Sequence, residues 1–500
     1  MVQPQVIRGL WWLPDHEDEA VPGTLVLSAD DFALNVMGSL NPISLKPSPR
    51  VYSTLFEWRD VPVVLGVSED RHRPITLVDV GGTACLLPAG ARNEAWYPDA
   101  AFLGAHLVEP EERLFDRCRL VVEDLPAWAD RPRPGYQVAM SEEEGDAHAQ
   151  SVTVSSTREH LGRARVNDAD VRLVTAPSFD LQGSKLRLGV DAFFDVVGDT
   201  PMDWIGFLGK WISPLRSLVE FATTLPCASQ DIYLHTTTAK TERRDGWVEL
   251  LFRSSDLRRP DREATLSGQG TFLFTAASMK NGFGDGLERW LQLHDECQRA
   301  LEPLRDVLED PFPSQVDRFV AYAKAAEGLH AALYGSVPTA VQERDERVSR
   351  ALASLPDDLV EWARPLLEHS TPPVARHRIL ALIGEAGPLA NSLVADDPEG
   401  FAFRVVQTRN FLTHPTRGQK KAILTALDLH LHAEALIWLV RITFLGALGF
   451  SIDEVETMVR DTRGFLDAEH GMVQFVARIA SEGPGDASPD YEATPSEPQR

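Results

Sequence analysis

One change of texture near Phe283 limits how this chain can fold. Ahead of it apolar residues alternate in short runs, and behind it they recur every three or four positions. The first pattern buries one face of a strand, the second one stripe of a helix, so two kinds of domain are required. The strand-like runs are GTLVLS at Gly23, FALNVMG at Phe32, VPVVLGV at Val61, PITLVDV at Pro74, RLVVEDL at Arg119, SVTVSS at Ser151 and KLRLGVDAFFDVV at Lys185. Pro, Gly and Asp separate them, the punctuation of a mostly antiparallel sandwich or barrel-like domain. A helix is predicted from Pro201, where Trp204, Phe207, Leu208, Trp211, Leu215 and Leu218 fall at helical spacing. Strand-like DIYLHT, WVELLFRS and GTFLFT follow and place that helix inside the same mostly-β domain.

From Phe283 a series of amphipathic segments leads to a long helix expected from Lys420 to about Gly446. Short loops between such segments favour an antiparallel bundle. The last residues, SEGPGDASPDYEATPSEPQR, lack an apolar face and read as a disordered tail. The expected organisation is α+β and multidomain: a β-rich unit over 1–282, a helical unit over 283–480 and a tail over 481–500.

Charge narrows the function classes. With 74 acidic against 49 basic side chains the net charge is −25, which opposes a coat of nucleic acid, so any such contact must be local. The N-terminus lacks the features of a secretory signal. The longest apolar run, Ala435 to Ile452, is broken by Arg441 and reads as a buried core helix rather than a membrane span. Cys85, Cys118, Cys227 and Cys297 show no paired zinc spacing, and reduced thiols in a cytoplasmic protein are the expectation. His430 and His432, two apart on a helix, point to different faces and are read as structural. Trp11, Trp12, Phe56 and Trp58 are read as core, and SEEEGDAHAQ, from Ser141, as a solvated loop.

Against that background RVVQTRNFLTHPTRGQKK, Arg404 to Lys421, carries six basic groups, counting His414, and no carboxylate. On a helix from Phe401 to Thr413, with Phe401, Val405 and Leu412 buried, Asn410 and His414 lie one turn apart and Arg409 reaches the same cleft. Pro415 places His414 at the frayed carboxyl end, where the helix dipole favours imidazolium and moves its pKa toward working pH. Arg409 offers a fork matched to phosphate oxygens, with Arg404, Arg417, Lys420 and Lys421 as surrounding RNA-binding charge. Such a set can move ribose protons through His414 and stabilise a phosphorane through Arg409, with no metal or cofactor. An Arg followed within a few residues by His also occurs at Arg289/His294, Arg364/His369 and Arg463/His470. Only the Arg409 pair has the adjacent Asn410, the basic surroundings and a long apolar helix after it.

RNFLTHP in a C-terminal all-α region resembles the Arg-Asn-x-x-x-His signature of HEPN ribonucleases, and FVAYAKAAEGLHAALYG, with Glu327, resembles the first helix of that bundle. The N-terminal IRGLWWLPDHEDEAVPGTLVLSADDFALNVMG and the later WISPLRSLVEFATT resemble the β-rich domain of ApeA-type antiphage proteins. The resemblance implies a metal-independent endoribonuclease of abortive infection that often acts on tRNA. It also implies a homodimer in which two motifs face each other, and a β-rich domain that senses a phage-derived trigger. It assigns Arg409, Asn410 and His414 as the catalytic set and Glu327 as a supporting polar group. Two other functions fit the same residues: a catalytically silent HEPN-like module for dimerisation or nucleic-acid binding, and a ligand-binding β-sandwich on a helical scaffold.

Overall fold

The computed structural model describes residues 5–28, 32–40, 57–86, 92–129, 135–143, 146–155, 159–182, 185–237, 241–242, 245–252, 272–309, 313–335, 338–368, 375–413 and 424–482. Its contacts divide the chain into two compact units, Met1–Leu291 and Gln292–Arg500.

In the first unit six antiparallel strands close a barrel: β1 (Gln5–Trp12), β2 (Val21–Leu27), β3 (Phe32–Met37), β4 (Glu57–Ser68), β5 (Pro74–Leu86) and β6 (Arg92–Tyr97). Closure depends on the length of β5. Its second half, Gly81 to Leu86, pairs with β6, while Ile75 to Val78 pairs with β7 (Ala100–Leu103) and opens a second sheet. That sheet continues outward from β7 through β15 (Trp247–Phe252), β14 (Ser229–Thr236), β8 (Phe115–Val122), β13 (Lys185–Met202), β12 (Ala169–Gln182) and β11 (Glu159–Val166). β9 (Gly135–Glu143) and β10 (Asp146–Ser155) form a separate hairpin, so most of the acidic stretch expected as a loop is strand.

Trp11 and Trp96 fill the barrel with Leu25, Leu34, Val64 and Leu77. Two glycines make room for the indoles: a Cβ on Gly66 would lie 2.3 Å from the Trp11 ring, and one on Gly82 2.3 Å from that of Trp96. Buried Glu94 receives the Trp96 indole N–H at 3.0 Å and the Leu40 backbone N–H at 2.9 Å, fixing the chain as it leaves β3. Trp12 is 6% exposed and belongs to a smaller apolar cluster, whereas Phe56 lies outside the described residues.

The helix expected after Pro201 forms as Trp204–Phe207 and Ser213–Thr223, joined by a π-helical turn over Leu208–Ile212. Asp203 caps it by accepting the Gly206 N–H at 2.7 Å. GTFLFT is not a strand where it is described: Leu273 donates to the Ala222 carbonyl at 2.8 Å, and Leu273 and Phe274 are buried, so tertiary packing overrides the alternation.

The second unit is helical. Ala426–Ala447 is its central helix and packs against Gln315–Tyr334, Ala375–Leu393 and Arg463–Glu482. Leu436, Leu439, Phe444 and Leu445 on it are 0% exposed, which is the use this apolar run serves. It begins later than expected: Thr425 accepts the Asp428 N–H in a capping box, and 414–423 lie outside the described residues. Ala375–Leu393 bends at Gly387, whose φ of 59° suits glycine, with Pro388 next. The final helix runs to Glu482, so residues 481 and 482 of the expected tail are helical and 483–500 lie outside the described residues.

Candidate active site

The helix Pro398–Thr413 carries the motif. Asp397 accepts the Gly400 N–H at 3.0 Å at its start. Phe401, Val405 and Thr408 are each 0% exposed and set its rotation. Thr408 takes the place in this stripe expected for Leu412, which is half-buried because it lies in the last turn.

Arg409 leaves this stripe on one side. Its Nη1 donates to Asn410 Oδ1 at 3.0 Å and its Nη2 to Glu327 Oε2 at 3.2 Å. Glu327 comes from Gln315–Tyr334, so two helices converge on one ion pair, with side chains 24% and 16% exposed. Asn410 therefore holds the guanidinium. Burial raises the Glu327 carboxyl above its usual value, and the charges of Arg409, then Arg378 and Lys324, oppose the rise. Glu327 Oε1 and Arg409 Nε are buried and lack a hydrogen-bond partner among the described residues. The Arg409 guanidinium gives one nitrogen to Glu327 and one to Asn410, and its planar fork is chemically matched to the oxygens of a phosphate.

His414 directly follows this helix and lies outside the described residues, as do Arg417, Lys420 and Lys421. Both flanks of 414–423 are anchored beside Arg409. Thr413 Oγ1 donates to the Arg409 carbonyl at 2.9 Å, and the Leu424 N–H donates to Thr408 Oγ1 at 3.3 Å.

Arg404 does not join this site. Its Nη1 donates to Asp397 at 3.0 Å and its Nε to His432 Nε2 at 3.3 Å, with the guanidinium 5.1 Å from the Phe475 ring centroid. The expectation of an RNA-binding Arg404 is corrected on this geometry: the side chain is turned into the bundle, 15% exposed and engaged there. His432 is 0% exposed, stacks on Phe401 at 5.2 Å and meets the Phe475 ring edge-on at 4.8 Å. Its Nδ1 lies 2.8 Å from the Asp428 carbonyl, which can only accept, so the ring is neutral with its proton on Nδ1 and offers Nε2 to Arg404. Burial drives its pKa down to about 3. His430 is 42% exposed and stands 4.0 Å from Glu434, away from this centre.

The remaining Arg/His pairs are dispersed. Arg463 is 94% exposed beside Asp467, His470 contacts Gln474 at 2.8 Å, burial lowers His294 to about 4, and His369 lies outside the described residues. Arg378 was missed by sequence reasoning: its Nη1 donates to the Glu327 carbonyl at 3.4 Å from the helix Ala375–Leu393. Nothing in ARHRILALIGEAG signals this, since the two residues are 51 apart and meet only through helix packing.

Family models match both units. ApeA N-terminal domain 1 matches residues 6–290, more than half of the chain, and Apea-like HEPN matches 320–454, spanning Glu327, Arg409, Asn410 and His414. Comparison with curated proteins and with solved structures gave no match.

Proposed function

This chain belongs to the ApeA family, a HEPN-type effector of antiphage defence, and from that membership we propose that its helical unit is a metal-independent endoribonuclease. The observation that supports the chemistry most is the Glu327–Arg409–Asn410 cluster on a helix whose next residue is His414. His414 takes the proton of a ribose 2′-hydroxyl, and the 2′ oxygen attacks the adjacent phosphorus. The 5′ oxygen of the next nucleotide leaves and receives a proton, giving a 2′,3′-cyclic phosphate and a 5′-hydroxyl. Arg409 neutralises the charge that grows on the phosphorane oxygens, released toward the phosphate from Glu327 while Asn410 keeps its fork in place.

The substrate class we propose is tRNA or another structured RNA, cleaved in the cytoplasm with toxic effect. Two copies pair through the helical unit so that one His414 serves as base and the other as acid. The β-rich unit receives a phage-derived trigger and controls the helical unit. The test is total-RNA cleavage in cells expressing the protein or His414→Ala, with and without phage challenge, reading new 5′ ends and terminal phosphates. Cleavage that needs His414 and leaves cyclic phosphates supports the reading; intact RNA under every challenge sinks it and favours a silent HEPN-like module.

A further inference from the structure

Glu327 gathers cations from three directions. Arg409 pairs with its carboxylate at 3.2 Å, and Arg378 donates to its backbone carbonyl at 3.4 Å. Lys324 is exposed one turn earlier on the same helix, on the side that an i, i+3 pair shares, about 4.5 Å along the axis. One cation thus stands on the carboxylate, one on the backbone carbonyl and one a turn away on the same helix, in a protein of net charge −25. Cations gathered from three helices favour an anion between them, and a polyanion is the ligand that gains most. Electrostatics agree with the geometry, since the charges of both Arg378 and Lys324 are felt at the Glu327 carboxyl. Arg404, meanwhile, is turned inward, so among the described residues the charge that stands beside Arg409 comes from helices other than the motif's own.

We propose that Arg378 and Lys324 are phosphate-binding residues of this site, holding the RNA backbone on either side of the phosphate that Arg409 takes. The inference rests on the ribonuclease reading above and adds the two side chains that position the strand. Glu327 is then a placeholder: it keeps the cations together before RNA arrives and gives Arg409 up to the scissile phosphate.

The experiment measures binding of a labelled single-stranded RNA oligonucleotide to full-length His414→Ala protein, which cannot cleave it, at salt from about 50 to 200 mM. Each phosphate contact contributes about 0.7 to the slope of log affinity against log salt for a single strand. Arg378→Gln and Lys324→Gln in that background are each expected to weaken binding and to reduce the slope by about 0.7, while Arg378→Lys keeps it. A fall in affinity with an unchanged slope marks a structural role and overturns the proposal. Unchanged affinity and slope in both Gln variants, with the parent still binding RNA, also overturns it and leaves the ribonuclease reading intact. Absence of RNA binding by the parent, together with no His414-dependent cleavage, brings down both. If Arg378→Gln fails to fold, the exposed Lys324 decides the question by the same slope.

Discussion

Arg404 and Arg409 sit on one helix five residues apart, hence about 140° apart around its axis, and they flank the buried stripe of Phe401, Val405 and Thr408 on opposite sides. Each meets a carboxylate, but the settings differ. Arg404 lies among Asp397, a neutral His432 and the Phe475 ring, and aromatic packing holds His432 and Phe475 in place, although Arg404 Nη2 too is buried without a partner among the described residues. Among the described residues Arg409 meets Glu327 and its neighbour Asn410, and Glu327 Oε1 is a buried acceptor without a partner there. One arginine is a strut and the other is held ready. The same residue type, on the same helix, takes its role from what the other helices bring to it.

This contrast predicts a clean split between activity and stability. Arg409→Ala is expected to lower RNA cleavage about 10²- to 10³-fold in a protein that circular dichroism shows still folded. Arg404→Ala should instead cost about 2 kcal/mol in urea unfolding, chiefly because the buried His432 loses its partner, while the 42% exposed Asp397 can turn to water. At temperatures where it remains folded, its cleavage should stay near that of the parent. If Arg404→Ala instead abolished cleavage in a fully folded protein, the division between strut and site would be wrong.

How much of this was legible follows from the range of each interaction. Strand and helix periods are local, so β2, β3, β5 and the helices of the second unit were readable from alternation and spacing. Barrel closure was not, because it depends on β5 pairing with β6 along half its length and with β7 along the rest. In the site, Arg409, Asn410 and Glu327 were reached through a motif and a family resemblance, and their contact spans 82 residues. Arg404 was misread because a run of charge does not say which side of a helix faces inward. Its place next to the Phe401 stripe was available from helical geometry and was the signal to use. Arg378 had no signal at all, since three helices must pack before it approaches Glu327.

The buried centre also titrates. Unfolded, His432 gains its proton near pH 6.5; folded, it does so only near pH 3. Between these values the unfolded chain holds the extra proton, so its contribution to stability is full above pH 6.5 and is lost as pH falls toward 3. The slope is at most ~1.4 kcal/mol per pH unit. Guanidinium unfolding from pH 7.5 to 4.5 should show stability falling with acid, and His432→Gln should flatten part of that fall. An unchanged profile in the variant would mean that His432 is not the buried neutral group the geometry describes.

Glu327 should give the smallest effect, with the opposite sign. Its folded pKa is raised above the usual 4.5, so between these values the native state holds the extra proton and stability declines as pH rises. Glu327→Gln removes that decline. The melting temperature of the variant relative to the parent should therefore grow as pH rises above 4.5 and level off once the native carboxyl is ionised. The lost pairing with Arg409 offsets part of the gain, because that guanidinium is 24% exposed and water can take the place of the carboxylate. A relative melting temperature that falls with rising pH would show that the ion pair outweighs burial. Glu327 would then be a strut like Asp397, and the two ends of the helix would be alike after all.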